Sequence, residues 1–440
     1  MIVSLWHLFT DPLLFAPTVG TTLVCAMAGM MGVIGFIRRR SLIGDALSHA
    51  TYPGIASGAY VASCFCGPSD PLAYVFLFAG AFLFAFSGLR VLELLEKRYR
   101  VRPDSALCMV IALSMGSGVT VASRMQMTHA VWYRKVRLFL FGQAVAIEEW
   151  WIPIYALATL LTVLSLCVMF GRIEVMYFDR EFLRNIAISP RVCDGFLSLL
   201  TVAVVVIGMQ SVGVLLLAGM FIAPAVFAGQ CTDRLKRMFV WAGLIGALSG
   251  FTGVYLSVMI PSITGRGSTL SLPTGPMVLL VAFFFALVAI LFAPKRGRVM
   301  RMIRARRFAV QESADHVLKV LWKRGPSAPR LLEKEVVASK PAPGLVLFFM
   351  GRKGWVRRTP GGITLTEEGS RRGRRLVRLH RLWELYLTSE LHLEKDRVHR
   401  SAEEMEHILT REIEEKLTSL LRDPPEDPHG QPIPAREEIW

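Results

Sequence analysis

The stretch LPTGPMVLLVAFFFALVAILFAPKRGRVMRMIRARRF, residues 272–308, contains the boundary that decides the fold. Its first half is an apolar run of about 20 residues, which is the length that crosses a lipid bilayer as a helix. Its second half places a basic side chain at almost every second or third position, and residues 295–440 hold 51 of the 84 charged side chains in the chain. The sequence therefore predicts a membrane domain over residues 1–294 and a soluble domain after it.

The composition of the whole chain agrees with this division. Hydrophobic residues make up 53% of the 440 residues, and the mean hydropathy is +0.46. Such a chain is too apolar to be one soluble protein and is typical of a protein that crosses the membrane many times. We expect eight or nine transmembrane helices. The candidate spans are residues 18–37, 41–62, 71–92, 105–123, 151–170, 194–209, 211–229, 239–260 and 275–293.

Basic clusters indicate the orientation of these spans, because cytoplasmic flanks are rich in Lys and Arg. Such flanks occur at Arg38–Arg40, Lys97–Arg102, Asp233–Arg237 and Lys295–Arg307. They predict a cytoplasmic location for the soluble tail. The basic segment 124–150 does not fit, so either one apolar run is re-entrant or the charge rule fails there.

The second candidate span contains an ionisable pair in the stretch SLIGDALSHATYPG. Asp45 and His49 are four residues apart and therefore share one face of a helix. Ionisable groups inside the membrane are costly and usually line a pathway or a cavity. The alternative is that Asp45 lies near the interface and His49 bonds a neighbouring helix. Pro53 and Gly54 follow directly and predict a kink that frees backbone carbonyls.

A phosphate-binding G-x-x-x-x-G-K-[ST] motif occurs nowhere in the chain. The chain is therefore not expected to bind and hydrolyse ATP through a P-loop. If the membrane domain is driven by ATP, the ATPase is a separate polypeptide, and this chain is not itself an enzyme.

The soluble tail begins with a pattern of short helices followed by a hairpin. Three helices are predicted in ADHVLKVLWKRG (314–325), PRLLEKEVVA (329–338) and GLVLFFMGRKGWV (344–356), and a hairpin in VRRTPGGITLTEEG (356–369). This order predicts a winged helix-turn-helix, with a small three-helix packing module as the alternative. Four basic residues near the hairpin are candidates to hold DNA phosphates. They are Arg352, Lys353, Arg357 and Arg358.

The charge of this first part of the tail has two interpretations. Residues 295–378 hold 22 basic and 6 acidic side chains. A basic block next to a membrane span favours contact with anionic lipid, whereas a basic block in a helix-turn-helix domain favours nucleic acid. The charge alone does not separate the two.

The second part of the tail contains the stretches HRLWELYL (380–387) and VHRSAEEMEHIL (398–409). They place histidines and carboxylates at helical spacings of three and four residues. Imidazole with carboxylates suits Mn²⁺ or Fe²⁺, with Zn²⁺ also possible, and the tail has no cysteine for a thiolate site. Glutamate-rich helices are also common as solvated faces. The candidate ligands are His380, Glu384, His399, Glu403, Glu406 and His407.

Five stretches of the membrane domain resemble the permease subunits of manganese, zinc and iron ABC importers. They are SLIGDALSHATYPGIA, LFGQAVAI, YFDREFLRNIAIS, VGVLLLAGMFIAPAVFA and LPTGPMVLLVAFFFALVAILFAP. The resemblance implies a bacterial inner-membrane protein with a second permease subunit, an ATP-binding subunit and a solute-binding protein that delivers the metal. It further implies that Asp45 and His49 coordinate the metal in the pathway. Residues 177–189, with Asp179 and Phe182, then resemble the element that couples to the ATPase.

The tail resembles the diphtheria-toxin-repressor family of metal-dependent regulators over residues 312–434, through HRLWELYL, VHRSAEEMEHIL and DPPEDPHGQPIP. The resemblance implies a domain that dimerises and binds operator DNA when metal is present. Glu403, Glu406 and His407 would be primary ligands, and His316 would supply another from the first tail helix. The remaining three candidates, His380, Glu384 and His399, would form the neighbouring site.

The tail departs from that family at one point, because Pro341 and Pro343 stand where the recognition helix should begin. Few polar side chains follow them to contact base edges. The DNA-binding interpretation therefore has an alternative, in which the tail senses metal and acts on the permease without DNA. In a further alternative, the tail acts after proteolytic release near residues 295–311.

The expected architecture combines an all-α polytopic membrane domain with an α+β winged-helix domain and a helical metal-binding and dimerisation domain. The expected boundaries are 1–294 for the permease, 295–311 for a basic linker, 312–378 for the winged helix-turn-helix and 379–440 for the metal-binding helices. Such a permease–repressor fusion resembles that of chlamydiae.

Overall fold

The computed structural model describes residues 10–40, 42–68, 70–141, 147–178, 190–264, 272–324, 343–359, 362–406 and 408–435. The chain divides into two compact units, Met1–Met300 and Arg301–Trp440.

The described part of the first unit is entirely helical. Its helices are α1 (Pro12–Ile37), α2 (Ile43–Phe65), α3 (Pro71–Lys97), α4 (Pro103–Thr128), α5 (Ala130–Phe141), α6 (Trp151–Phe178), α7 (Pro190–Val212), α8 (Val214–Cys231), α9 (Leu235–Thr264) and α10 (Thr274–Phe292). Within the described residues, seven of them are long and apolar enough to cross a membrane, namely α1, α3, α4, α6, α7, α9 and α10. The polytopic helical architecture expected from the sequence is confirmed.

Helices α2 and α8 correspond to the second and seventh candidate spans but are not among those seven. Helix α2 packs against α3, α4 and α8, and its polar residues Ser48, His49 and Thr51 are buried. A helix surrounded by other helices meets little hydrocarbon, so it tolerates polar side chains that a lipid-facing helix would not.

Glycines bring α2 and α3 into close contact. A Cβ atom on Gly54 would lie 2.3 Å from the backbone oxygen of Gly80, and one on Gly58 would lie 2.4 Å from that of Phe76. Small residues four apart let two membrane helices approach at backbone distance. This contact fixes the position of α2 and therefore of the ionisable pair in its first two turns.

Ion pairs identify one end of the helical bundle. Arg38, which caps α1, lies 2.6 Å from Asp194 at the start of α7, and Arg296 lies 2.5 Å from Asp233. At the opposite end, where α2 finishes, Lys135 of α5 donates a hydrogen bond of 2.9 Å to the backbone oxygen of Pro68. Helix α5 has 12 residues, too few to span a bilayer. Helix α5 therefore lies at the end of the bundle opposite Arg38.

The described part of the second unit contains five helices and one hairpin. They are α11 (Arg298–Arg324, which begins just before the unit boundary), α12 (Pro343–Arg352), β1 (Val356–Thr359), β2 (Gly362–Leu365), α13 (Glu367–Ser389), α14 (Lys395–Met405) and α15 (Arg411–Leu420). The strands pair antiparallel with Val356 opposite Leu365, as the predicted hairpin requires. The segment predicted as a basic linker is helical from Arg298. The predicted helix 329–338 and Pro341 lie outside the described residues.

Two hydrophobic clusters hold the second unit together. One joins α11, α12, the hairpin and α13, and its members include Leu318, Met350, Ile363 and Leu376. The other joins α13 to the last two helices through Leu379, Leu409 and Leu417. Leu376, Leu379 and Leu382 are all buried and form the apolar face of α13.

The last described residues are attached to α13 by a buried arginine. Arg378, whose side chain is 2% exposed, donates to the backbone oxygen of Pro434 at 2.6 Å and to Asp423 at 2.9 Å. Arg381 donates to Gln431 at 2.7 Å. The stretch DPPEDPHGQPIP is therefore an anchored segment that covers α13.

Candidate metal centres

The intramembrane pair lies at the start of α2. Asp45 is in the first turn, and Nε2 of His49 lies 3.2 Å from its Oδ1. The other ring nitrogen of His49, Nδ1, is buried without a hydrogen-bond partner among the described residues, and so is the hydroxyl of Ser48. Buried polar atoms without partners are costly, so such atoms indicate a missing ligand, water or partner chain. Carboxylate and imidazole are ligands that suit Mn²⁺, Fe²⁺ and Zn²⁺.

In the second unit, α13 and α14 bring three ligand atoms together. Nε2 of His380 lies 3.1 Å from Oε1 of Glu384 and 3.1 Å from Nδ1 of His399, and those two atoms are 2.8 Å apart. Neighbouring ligands at right angles on an ion with bonds of about 2.1 Å are about 3.0 Å apart. The donor set and its spacing therefore fit a divalent metal ion. We call these three residues the α13–α14 triad.

The triad is buried on one side and open on the other. The side chains of His380 and Glu384 are 5% and 3% exposed, whereas that of His399 is 57% exposed. Burial opposes ionisation of Glu384, yet hydrogen bonds from His380 and His399 outweigh it and lower its pKa to about 2. Burial also opposes the charge on His380, but its hydrogen bonds to Glu384 and Glu406 raise its pKa. The carboxylate is thus held ionised beside two imidazoles that a metal ion can use.

Glu406 contacts His380 from the side opposite the triad. Its Oε2 lies 2.6 Å from Nδ1 of His380 and 2.6 Å from Nζ of Lys319, which are themselves 3.0 Å apart. Hydrogen bonds from His380 and Lys319 overcome the effect of burial and lower the pKa of Glu406. A carboxylate on Nδ1 holds the proton there and leaves Nε2 free to bind an ion, an arrangement common behind metal-bound histidines.

The other predicted ligands lie outside the triad. Oε1 of Glu403 is 3.6 Å from Nε2 of His399, the ring nitrogen that the triad does not use. His316 is exposed on α11, one residue after the buried Asp315. His407 lies outside the described residues, as do Asp179 and Phe182 of the predicted coupling element. Lys319 was missed by the sequence analysis, although its apolar neighbours on α11 indicate a buried position.

The predicted phosphate-binding residues are all exposed. Arg352 ends α12, Lys353 follows it, and Arg357 and Arg358 lie on β1. A groove of about 770 Å³ runs between α12 and the hairpin, and three of these arginines line it. The exposed face of α12 is apolar, since Phe348 is 66% exposed.

These features define a polytopic membrane protein with an intramembrane Asp–His pair and a soluble histidine–carboxylate centre. Residues 10–293 match the ABC 3 transport family, and the chain belongs to that family. Residues 366–435 match the metal binding and dimerisation domain of iron dependent repressors. The chain thus carries an ABC 3 permease domain and a C-terminal iron-dependent-repressor domain.

Two bacterial transport proteins align with nearly the whole of this chain. A probable metal transport system membrane protein of Chlamydia trachomatis is 32% identical, over 98% of each chain. The manganese transport system membrane protein MntC of Bacillus subtilis is 30% identical, over 96% of this chain and 94% of that protein. The structure of PsaBC from Streptococcus pneumoniae shares the fold, with a TM-score of 0.55 at 21% identity, covering 68% of this chain and 97% of that chain.

Proposed function

We propose that this chain is the permease subunit of an ATP-driven importer of divalent metal ions, with Mn²⁺ or Fe²⁺ as the first candidates and Zn²⁺ as the next. The observation that carries the proposal is the unpartnered Nδ1 of His49 beside Asp45 in a buried helix. Both residues are ligands for such ions, and names of relatives in the same family include manganese and zinc transport.

In this proposal, Asp45 and His49 coordinate the ion transiently as it passes inward. Asp45 lies in the first turn of α2, and His49 lies one turn further into the bundle. Two ligands from one chain leave the ion incompletely coordinated. A second permease subunit, which the family resemblance implies, would complete the pathway, and a solute-binding protein would deliver the ion.

Coupling to the separate ATP-binding subunit is assigned to residues 177–189, with Asp179 and Phe182 at the contact. The structural support is at the two ends of this segment. Arg38 donates a hydrogen bond of 2.5 Å to the hydroxyl of Tyr177 and one of 2.6 Å to Asp194. This arginine therefore ties α6 and α7 together where they flank the segment, which gives it a fixed base from which movement can reach the helices.

The C-terminal unit is assigned as a sensor of the same class of ion, with His380, Glu384 and His399 as ligands. We place it on the cytoplasmic side of the bacterial inner membrane. Bound metal would join α13 to α14, because the triad takes residues from both helices.

Binding of operator DNA by the C-terminal unit is the further part of this proposal. It is supported by the exposed Arg352, Lys353, Arg357 and Arg358 beside an antiparallel hairpin. The test is an electrophoretic shift of residues 301–440 on the promoter of its own gene, with and without Mn²⁺. The expected result is a shift that requires metal and disappears when Arg357 and Arg358 are both replaced by Ala.

A second candidate function keeps the metal sensor but omits DNA. The apolar exposed face of α12, with Leu345 and Phe348, favours it, because a helix that contacts base edges needs polar side chains. The basic residues would then contact anionic lipid. A metal-dependent change in uptake by the full-length permease, without any promoter shift, supports this candidate.

The transport part is tested by uptake of radioactive Mn²⁺ in cells. Replacing both Asp45 and His49 by Ala should abolish uptake, while the amount of permease in the membrane stays unchanged. Unaltered uptake would remove these two residues from the pathway.

A further inference from the structure

Lys319 places a buried positive charge directly behind the α13–α14 triad. Its Nζ lies 2.6 Å from Oε2 of Glu406 and 3.0 Å from Nδ1 of His380, and its side chain is 6% exposed. A buried ammonium is stable only where it is paired and hydrogen-bonded, and here a carboxylate is in contact with it.

The position of Lys319 divides the cluster into two halves. On one side of the imidazole of His380 are Nε2 and the triad atoms of Glu384 and His399. On the other side are Nδ1, the carboxylate of Glu406 and the ammonium of Lys319. The first half has ligands that a cation can approach from the exposed side of His399. The second half already contains a cation.

We propose that the ammonium of Lys319 occupies the place of a second metal ion beside Glu406, so that the C-terminal unit binds one ion at the triad rather than a pair. This inference rests on the proposed sensor function. Lys319 acts as a positioning residue: it neutralises Glu406, and Glu406 in turn orients the imidazole of His380. The positive charge that a second ion would place beside Glu406 is therefore already provided by Lys319.

The arrangement has a consequence for the metal-free unit. Without Lys319, Glu406 would be a buried carboxylate that has lost a cationic partner. With Lys319, Glu406 has a cationic partner at 2.6 Å before any metal binds. Metal at the triad then strengthens a contact between α13 and α14 that His399 and Glu384 already make at 2.8 Å.

The test measures how many Mn²⁺ ions the full-length protein binds in detergent, by equilibrium dialysis followed by metal analysis. In Lys319→Glu, two carboxylates face each other where one ammonium and one carboxylate face each other now. The expected result is one additional Mn²⁺ per chain relative to the wild type. Any ion bound in the membrane domain is common to all variants and cancels in this difference.

Two further variants provide controls. Lys416→Glu makes the same change of charge at an exposed side chain of α15 and should leave the number of ions unchanged. Lys319→Gln removes the ammonium without adding a carboxylate. It should also bind no extra ion, and the unfolding midpoint of its metal-free C-terminal unit should fall by several degrees.

The outcomes separate this inference from the proposed function. If the His399→Ala protein binds as many ions as the wild type, the proposed sensor site is wrong. If His399→Ala removes one ion but Lys319→Glu gains none, the sensor stands and the role of Lys319 is wrong. A Lys319→Glu protein that stays unfolded even in excess Mn²⁺ also counts against the inference, because the second ion should restore the folded state.

Discussion

Nε2 of His49 lies 3.2 Å from Oδ1 of Asp45, while Nδ1 of the same ring is buried without a hydrogen-bond partner among the described residues. The two side chains are one helical turn apart on α2, a helix enclosed by α3, α4 and α8. The pair is thus held at a defined place inside the bundle, with one ring nitrogen left for a group that comes from elsewhere. In the proposed importer, that group is the transported ion or the water that accompanies it.

Replacing His49 by Ala should lower metal uptake by about tenfold or more, since loss even of a residue that only supports a ligand commonly costs 10- to 100-fold. Uptake of radioactive Mn²⁺, corrected for the amount of permease in the membrane, is the measurement. The control is His129→Ala, because His129 caps α4 at the opposite end of the bundle, where its ring packs against Tyr60. Equal losses in both variants would indicate a general effect on folding.

Replacing His399 by Ala should weaken Mn²⁺ binding by the C-terminal unit by about tenfold or more, because it removes the triad ligand from α14. Isothermal titration of residues 301–440 measures this. His392→Ala is the matched control, since His392 is exposed between α13 and α14 and makes no triad contact. Unchanged binding by His399→Ala would place the ion elsewhere.

Replacing Arg38 by Ala should uncouple transport from ATP hydrolysis. The change removes the hydrogen bonds to Tyr177 and Asp194 on either side of residues 179–189. Uptake should fall several-fold while ATP hydrolysis by the assembled transporter persists. Arg90→Ala serves as control, because Arg90 is exposed on α3 and its ion pair with Glu93 is a long one of 3.8 Å. A normal ratio of transport to hydrolysis in Arg38→Ala would contradict the assignment.

Replacing Arg378 by Ala should lower the free energy of unfolding of the C-terminal unit by about 3 kcal/mol, since it removes a buried cation that bonds the terminal segment. Urea denaturation of residues 301–440 gives this value. The exposed Arg411, paired with Glu415 at 3.2 Å, provides the comparison, and its replacement by Ala should change stability by less than about 0.5 kcal/mol. Similar values for the two variants would mean that the segment is not anchored by Arg378.

The stability of the metal-free C-terminal unit should depend on pH in two opposite ways. The pKa of Glu384 is lowered from 4.5 to about 2, so its contribution is present above pH 4.5 and is lost as the pH falls towards 2. The pKa of His380 is raised from 6.5, so its contribution is present below pH 6.5 and is lost as the pH rises through the higher value. The metal-free unit should therefore be most stable near pH 5 to 6.

Added Mn²⁺ should reverse the second trend, because an ion replaces the proton on His380. Thermal unfolding of residues 301–440 at pH 5.5 and pH 8, each with chelator and with Mn²⁺, tests both statements. If the stabilisation by Mn²⁺ is as large at pH 5.5 as at pH 8, protons and metal do not compete for the triad.

Much of the fold could be predicted from the sequence, because the controlling patterns are local. The apolar run that ends near Phe292 marks the end of the last long membrane helix. The hairpin predicted in residues 356–369 is present, with Val356 opposite Leu365 and Thr359 opposite Gly362. Whether residues 295–311 form a linker or part of a helix was harder to predict, since a charged helix and a charged linker can have the same composition. Residues 298–324 form one helix.

The candidate centres were predicted in part. His380 and Glu384 are one turn apart on α13, so helical geometry alone places them together. His399 was correctly chosen as a candidate ligand, and α14 brings it to within 3.1 Å of His380. Lys319 was not predicted, because a lysine on an amphipathic helix is usually exposed and solvated, and its apolar neighbours on α11 are only a weak sign of burial.

The sequence by itself determined which parts of the chain are immersed in lipid and which in water, and which ligands share a helical face. These properties depend on residues a few positions apart, whose relative placement follows from the geometry of a single helix. Only the tertiary structure decided that Lys319 lies against Glu406, 87 residues away, and that Arg38 joins Tyr177 to Asp194 across 139 and 156 residues. Those contacts depend on how separate helices pack, and the packing depends on the close approach of small side chains and the pairing of buried charges, which no local pattern encodes.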